Sequence, residues 1–344
     1  DMHYWEVWHG GKPFESFYTV KPRFCSEFGY QSYPSLPTVN TFASENERNI
    51  FSDAFDNHQK NAKGNELIKN MFKNYFKEPT NFIQQLYLSQ VQQAIAIRMG
   101  CEYFRTLKPY TRGMIYWQIN DCWPVTSWSS IEYGGRWKQL QYHAKRFFDP
   151  LMPTFYENKD YNEIISNGND TISKDTTISL FVVNDRLEPV SYSIDVNWID
   201  FDGNIIKSWS SIKHTSNSDT SDVVWSIPSS EVEGKRNIGF FRCILTEEKS
   251  ERQYSNFFFA TQYKNCDLRK ANISASLSND VKQTTIRLTT DKPAFFVHLE
   301  SEKVRKFSDS SILLLPGEEV TVTCDALITS NDLVIYQLGS IGQI

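Results

Sequence analysis

The sequence predicts a multidomain chain, α/β over residues 1–153 and all-β from 154 to 344. Two observations carry that division. Up to Pro150, apolar residues recur at helical spacing between short extended runs, whereas after Pro153 the period drops to two and the helical stripes end. A chain of 344 residues also holds two or three domains more readily than one.

The first extended run, "KPRFCSEFGYQS" at 21–32, reads as a short strand ending in a turn. Alternation places Phe24 and Phe28 on one face and Arg23, Cys25 and Glu27 on the other, and Gly29 breaks the run. Glu27 therefore stands at the carboxyl end of a strand, followed at once by a loop, where parallel α/β barrels gather their chemistry. The plainer reading is an edge-strand glutamate in water or paired with Arg23. "SENERN" at 44–49 follows cap signals and reads as a helix start rather than a second carboxylate site.

"GNELIKNMFKNYFKEP" carries Leu67, Ile68, Met71, Phe72, Tyr75 and Phe76 at three-to-four spacing and stops at Pro79, which predicts an amphipathic helix. A longer helix is expected from Asn81 to Leu107, with Leu88, Val91, Ile95, Met99, Tyr103 and Leu107 as one apolar stripe, ended by Pro109. "GMIYWQIN" at 113–120 is the second strand, and Trp137, Leu140, Ala144 and Phe147 share the face of a last helix. Strand, helices, strand, helix is the rhythm of a parallel sheet or barrel, of which this region shows only about two strands.

Beyond Pro153, "TTISLFVVNDRLEPVSYSIDVNWIDFDGN" alternates and contains hairpin turns, and "KRNIGFFRCIL" and "QYSNFFFATQY" continue the pattern. Residues 154–265 are read as one immunoglobulin-like β-sandwich. After "NCDLRKANIS", four or more short strands from "QTTIRLTTD" to "LVIYQLGS" give a second, smaller sandwich over 266–344.

Composition excludes several classes. The net charge is -5 without a lysine-arginine block, so no nucleic-acid partner is expected. No apolar run approaches the ~20 residues of a spanning helix, so no membrane partner is expected either. The opening "DMHYWEVWHGG" lacks the charged and apolar regions of a signal peptide and reads like the interior of a larger protein. Six scattered cysteines form neither a disulfide framework nor a CxxC zinc motif. Sequons at Asn169 and Asn272 are compatible with secretion, although such triplets arise by chance in a chain rich in Asn and Ser, and the compartment stays open among periplasmic, secreted and lysosomal.

Aromatic residues make up 15% of this polar chain, with nine tryptophans, and aromatic faces in polar surroundings often stack on sugar rings. In "GMIYWQINDCWPVTSW", Ile115, Trp117 and Ile119 share a face and the polar Gln118, Asn120 and Asp121 reach the strand's end. Trp117 beside a carboxylate is the pairing that a pyranose ring with a charged reacting carbon requires, whereas Trp123 and Trp128 read as packing. "HYWEVWHGG" concentrates Tyr4, Trp5 and Trp8 as a binding loop would, or else as a hydrophobic plug. The spacing of His3 and His9 fits no ligand pair, and no metal is expected. No G-x-S-x-G elbow or phosphate loop is present.

"HYWEVWHGGKPF", "PRFCSEFGYQSYPS", "YLSQVQQAIAIR" and "GMIYWQINDCWPVTSWSSIEYGGRWKQLQYHAKRFF" resemble, in order, the β-mannosidase branch of glycoside hydrolase family 2. The similarity thins afterwards, although "FVVNDR" and "LLLPGEEVTV" are similar to that branch's appended sandwiches. The resemblance implies the last part of a (β/α)8 TIM barrel. It aligns Glu27 with the catalytic nucleophile and Trp117 with the tryptophan that floors the sugar subsite. It also implies a cis peptide between Trp117 and Gln118, and a cleft bordered by Trp5 and Trp8.

The implied activity is that of a retaining exo-β-mannosidase acting on β-mannoside oligosaccharides or glycans without a cofactor. A β-galactosidase or other family 2 glycosidase, or a non-catalytic carbohydrate-binding module, are the alternatives. The family's acid/base glutamate lies on a strand with no counterpart here, so the chain reads as a carboxy-terminal portion, inactive alone. It is expected to pair with the amino-terminal domains of the same enzyme or with a second copy.

Overall fold

A computed structural model describes residues 1–167 and 175–342, and the chain divides into two compact units, each built from separated segments. Unit 1 comprises Asp1–Phe28, Arg98–Ile115 and Lys145–Asp267, and unit 2 comprises Gly29–Ile97, Tyr116–Ala144 and Leu268–Ile344. The sequon at Asn169 lies outside the described residues, whereas Asn272 is exposed.

The elements of the first region are β1 (Met2–His3), β2 (Phe24–Glu27), α1 (Leu36–Val39), α2 (Asp53–Asn57), α3 (Gly64–Tyr75), α4 (Phe82–Thr106), β3 (Gly113–Met114) and α5 (Gln139–Phe147). In unit 1, β1, β2 and β3 form a parallel sheet with β2 at its centre. A Cβ at Gly113 would meet the Phe24 ring at 2.4 Å, so the bare α-carbon lets that ring lie across the neighbouring strand.

The predicted facing of β2 is corrected. Cys25 and Phe28 are both buried and Phe24 is partly exposed, because the strand ends at Glu27 and the turn that follows sends Phe28 inward. There Phe28 meets Phe17 and Phe104 edge-on, with ring centroids 5.8 and 5.7 Å apart. The expected strand over 113–120 is also shorter than its apolar alternation suggested. Ladder pairing covers Gly113–Met114, and beyond it Trp117 and Asn120 make isolated bridges.

In unit 2 the helix over Gly64–Tyr75 buries Ile68, Met71, Phe72 and Tyr75, as its periodicity required. Helix α4 has the expected span, but over Leu86–Ile97 it is buried all round rather than along one stripe. Its glutamines make that burial tolerable. Gln93 Nε2 donates to the Tyr30 carbonyl at 2.9 Å, Gln92 Nε2 to the Ile68 carbonyl at 3.1 Å, and Gln90 Nε2 to the Tyr33 carbonyl at 3.2 Å. Residues 45–47 form a 3-10 turn with a Ser44–Glu47 capping box, so the helix-start reading of that carboxylate pair stands.

After these come β4 (Leu151–Glu157), α6 (Tyr161–Asn167), β5 (Thr177–Asn184), β6 (Val190–Asp200), β7 (Ile205–Ser216), β8 (Thr220–Pro228), β9 (Gly239–Glu247) and β10 (Gln253–Phe258). The strands form two antiparallel sheets, β4-β5-β8 and β10-β9-β6-β7. Their inner faces share one core that includes Phe155, Leu180, Ile194, Trp225 and Phe241, the arrangement of an immunoglobulin-like sandwich. Within it the buried Glu157 carboxylate meets the Arg236 guanidinium through contacts of 2.6 and 3.0 Å and accepts from Ser229 Oγ at 2.6 Å.

The last strands, all in unit 2, are β11 (Ile273–Asn279), β12 (Thr284–Thr290), β13 (Ala294–Glu300), β14 (Ile312–Leu314), β15 (Val320–Cys324) and β16 (Val334–Tyr336). They make the three-stranded sheets β11-β12-β15 and β14-β13-β16 around Ile286, Leu288, Val297, Leu299, Leu314 and Val322. No helix among the described residues is long and apolar enough to cross a membrane.

Candidate active site

Parallel pairing sets His3 opposite Glu27, and the Tyr4 amide donates to the Glu27 carbonyl at 2.7 Å, which fixes the end of β2. Beneath it Cys25 is buried, and its thiol is pushed up to about 11 by burial, so sulfur is not the nucleophile here. Arg23, the ion-pair partner that the plainer reading offered, lies over the Tyr110 ring with its guanidinium carbon 5.3 Å from the centroid.

The Glu27 side chain is 33% exposed. Trp5 Nε1 donates to its Oε2 at 3.1 Å, and His3 Nδ1 lies 3.4 Å from the same oxygen. The other His3 nitrogen, Nε2, is 3.6 Å from Asp1 Oδ2, and Asp1 Oδ1 accepts from Ser26 Oγ at 2.6 Å. One carboxylate oxygen thus accepts from Trp5 and lies beside a His3 nitrogen while solvent still reaches the group. A carboxylate oriented in this way and open on one side is the arrangement that attack on an electrophilic carbon requires.

Of the tryptophans in the opening loop, Trp5 carries the contact with Glu27, and its ring packs 5.1 Å from that of His9. The expectation that Trp8 borders a sugar cleft is corrected: it is 1% exposed and buried together with Tyr4 and Val7. The loop is largely a plug, with Trp5 as the member that reaches the carboxylate. His3 and Asp1 were missed as neighbours of Glu27 because a two-residue strand carries no period. The one available signal was the density of polar rings in "HYW".

Trp117 belongs to unit 2, where it is 45% exposed and bridges Gly29. Its peptide bond to Gln118 is cis, matching the expectation. The Gln118 amide donates to the Trp128 carbonyl at 3.2 Å. Asp121, expected at a polar rim, is buried, with Lys60 Nζ at 2.9 Å and Ser127 Oγ donating at 2.7 Å, so it anchors the segment instead. Trp123 packs on the His58 ring at 4.8 Å. Among the described residues no group of three His, Cys, Asp or Glu side chains is placed to hold a metal ion.

The two sandwiches come first: each is similar to an immunoglobulin-like domain found in mannosidases. Residues 176–265 match the mannosidase Ig/CBM-like domain, and residues 268–338 match an Ig-fold domain of the mannosidase type. More particularly, the resemblance to the β-mannosidase branch drawn from the sequence is borne out along most of the chain. The β-mannosidase of Capra hircus is 29% identical over 343 residues, which cover 91% of this chain and 36% of that protein. The Bos taurus β-mannosidase is 30% identical, covering 86% and 34% respectively.

Among solved structures, the β-D-mannosidase of Dictyoglomus thermophilum superposes with a TM-score of 0.84 at 27% identity, covering 98% of this chain and 40% of that one. The exo-chitosanase of Amycolatopsis orientalis shares the fold, with a TM-score of 0.68 at 17% identity over 92% of this chain and 42% of its own. The chain spans about a third of the length of these curated relatives.

Proposed function

We propose that the chain is the carboxy-terminal portion of a retaining exo-β-mannosidase and carries its nucleophile, Glu27. The observation that carries this reading is the Glu27 carboxylate, held by Trp5 Nε1 at 3.1 Å at the carboxyl end of the central parallel strand yet open to solvent. In this reading β1, β2 and β3 with α3, α4 and α5 are the last part of a (β/α)8 barrel, residues 154–265 and 266–344 are the two appended domains, and Trp5 supplies a face against which the sugar stacks.

The chemistry balances with two carboxyl groups about 5 to 5.5 Å apart. A Glu27 oxygen attacks the anomeric carbon as the bond from that carbon to the leaving oxygen breaks, and the leaving oxygen takes a proton from the second carboxyl group. Water then gives a proton to that group and displaces Glu27. Trp5 Nε1 donates to Oε2, beside which His3 lies, and this leaves Oε1 to attack. The acid/base is assigned to the upstream part of the longer enzyme, which is also the partner proposed for this chain.

The test is turnover of p-nitrophenyl β-mannoside, with the galactoside and glucosaminide beside it, by this chain and by a protein of the relatives' full length. Turnover of the mannoside by the longer form, abolished by Glu27→Gln and accompanied by a trapped glycosyl-enzyme at Glu27, supports the reading. Turnover that survives Glu27→Gln, or a preference for another glycoside, would overturn it.

A further inference from the structure

Within unit 2 two buried carboxylates from distant parts of the chain converge on one turn. Glu132 accepts from the Ser35 amide at 2.7 Å and Ser35 Oγ at 2.8 Å, and also from Thr38 Oγ1. Gln90 Nε2 donates to it as well, at 3.5 Å. Glu300, the last residue of β13, lines one small cavity with Ser35 and Leu36 of the same turn and accepts from Tyr336 Oη at 3.2 Å. Both are buried.

Positive charge nearby offsets the crowding only in part: Arg136 lowers the Glu300 carboxyl, but by less than burial and the Glu132 charge raise it. The Arg136 guanidinium is taken up by carbonyls of the loop after β13: Nη1 donates to that of Ser301 at 2.6 Å and to that of Val304, and Nη2 to that of Glu302 at 3.2 Å. Lys138 is buried, and its Nζ donates to the Ser32 carbonyl at 3.3 Å. From β13, His298 is held at Nδ1 by Ser310 Oγ at 2.9 Å, and burial beside Arg136 lowers its imidazole to about 3, so it stays neutral and offers no counter-charge. From α4, Tyr87 donates to the Phe296 carbonyl at 2.8 Å and stacks on Tyr336 at 5.6 Å. A cavity of about 10 Å³ beside Glu300, lined also by Ser35, Leu36 and Tyr87, has room for one water, so solvent does little to disperse a second negative charge.

We propose that Glu300 and Glu132 form a pH-sensitive latch between the last sandwich and the α1–α4 layer, closed when Glu300 carries a proton and loosened when both are ionised. Two like charges sharing a buried site cannot both ionise without cost. Consistently, burial first and then the Glu132 charge raise the Glu300 carboxyl from 4.5 to about 7. Because the folded value lies above the unfolded one, the latch contributes fully below about pH 4.5 and is lost as pH rises through about 7. The same sandwich's loop 301–307 is tied to the layer by the Arg136 contacts and by the Phe307 amide donating to Tyr142 Oη at 3.0 Å, so loosening should show there first.

The test follows melting temperature from about pH 5 to about pH 8.5 for the 344-residue chain and Glu300→Gln, with tryptic cleavage at Lys303, Arg305 and Lys306 compared at matched pH. The expected result is a wild-type midpoint that falls relative to the variant as pH rises, with loop cleavage several-fold faster in the wild type at the alkaline end. Linkage allows up to about tenfold in the opening equilibrium per pH unit. Parallel melting curves or equal cleavage at every pH overturn the latch. Should Glu300→Gln fail to fold, Tyr336→Phe decides: removing a donor to the ionised carboxylate should move the wild-type fall to higher pH, and an unmoved curve overturns the proposal. None of these readouts depends on glycosidase activity.

Discussion

Glu27 in unit 1 and Glu300 in unit 2 are both the last residue of a β-strand, yet their surroundings differ in kind. Glu27 stays in contact with water, accepts from Trp5 and lies beside a His3 nitrogen. Glu300 is buried, shares its turn with a second carboxylate, and has its carboxyl raised to about 7. The same functional group is left partly open to solvent in one place and buried beside a second carboxylate in the other.

Glu157 in the first sandwich gives the third case, a buried carboxylate matched by a guanidinium that faces it through two contacts. Three glutamates at strand ends thus meet three fates, set by the charge available within reach.

The comparison breaks most sharply at Glu27. In the full-length enzyme Glu27→Gln should cut kcat/KM on an aryl β-mannoside by about 10,000-fold or more while leaving the melting temperature in place. A comparable loss of fold would return Glu27 to a structural role. Next in size, Glu157→Gln should cost about 3 to 5 kcal/mol in a denaturant titration, because Arg236 is left buried without its charge partner. A loss confined to a few tenths would place that pair with surface ion pairs.

Trp5→Phe keeps the aromatic face and removes one hydrogen bond to the carboxylate. It should lower kcat/KM by about 10- to 100-fold with a small change in KM, as read from steady-state kinetics. Smallest of all, Ser44→Ala removes the hydroxyl donor to the exposed Glu47 of the capping box and leaves the residue-44 amide, the two donors that hold the Glu47 carboxyl below its usual range. Its melting curve should overlay the wild type, which would confirm that exposure rather than hydrogen-bond number sets the scale.

Much of this was readable beforehand where physics is local. Helices α3 and α4 followed from the spacing of Ile68, Met71 and Phe72 and of Leu88 and Val91, bounded by Pro79 and Pro109. The sandwiches followed from alternation and turn residues. Glu27 stood out as a charge between aromatic residues at a strand's end, which the structure places at the end of β2.

What escaped was non-local. Trp8 turned inward through a loop with no period. Phe28 left the face it would share with Phe24 because the strand ends at Glu27 and the following turn sends it inward. The buried glutamines of α4 read as polar interruptions until their carbonyl partners were seen. Glu132 and Glu300 meet across 168 positions of sequence, a separation over which no motif signals proximity.

The two compact units exchange the chain five times, at 28/29, 97/98, 115/116, 144/145 and 267/268. Neither can therefore close early in synthesis: unit 1 waits for residues up to Asp267, and Gly29–Ile97 of unit 2 waits for the segment after it. Interleaved closure of this kind defers reward for ordering until distant segments arrive, which slows folding and prolongs the exposure of apolar surface. Slow folding is the kinetic consequence expected of such interleaving, and two of the exchanges, 97/98 and 144/145, fall inside α4 and α5, where a cut would interrupt a helix.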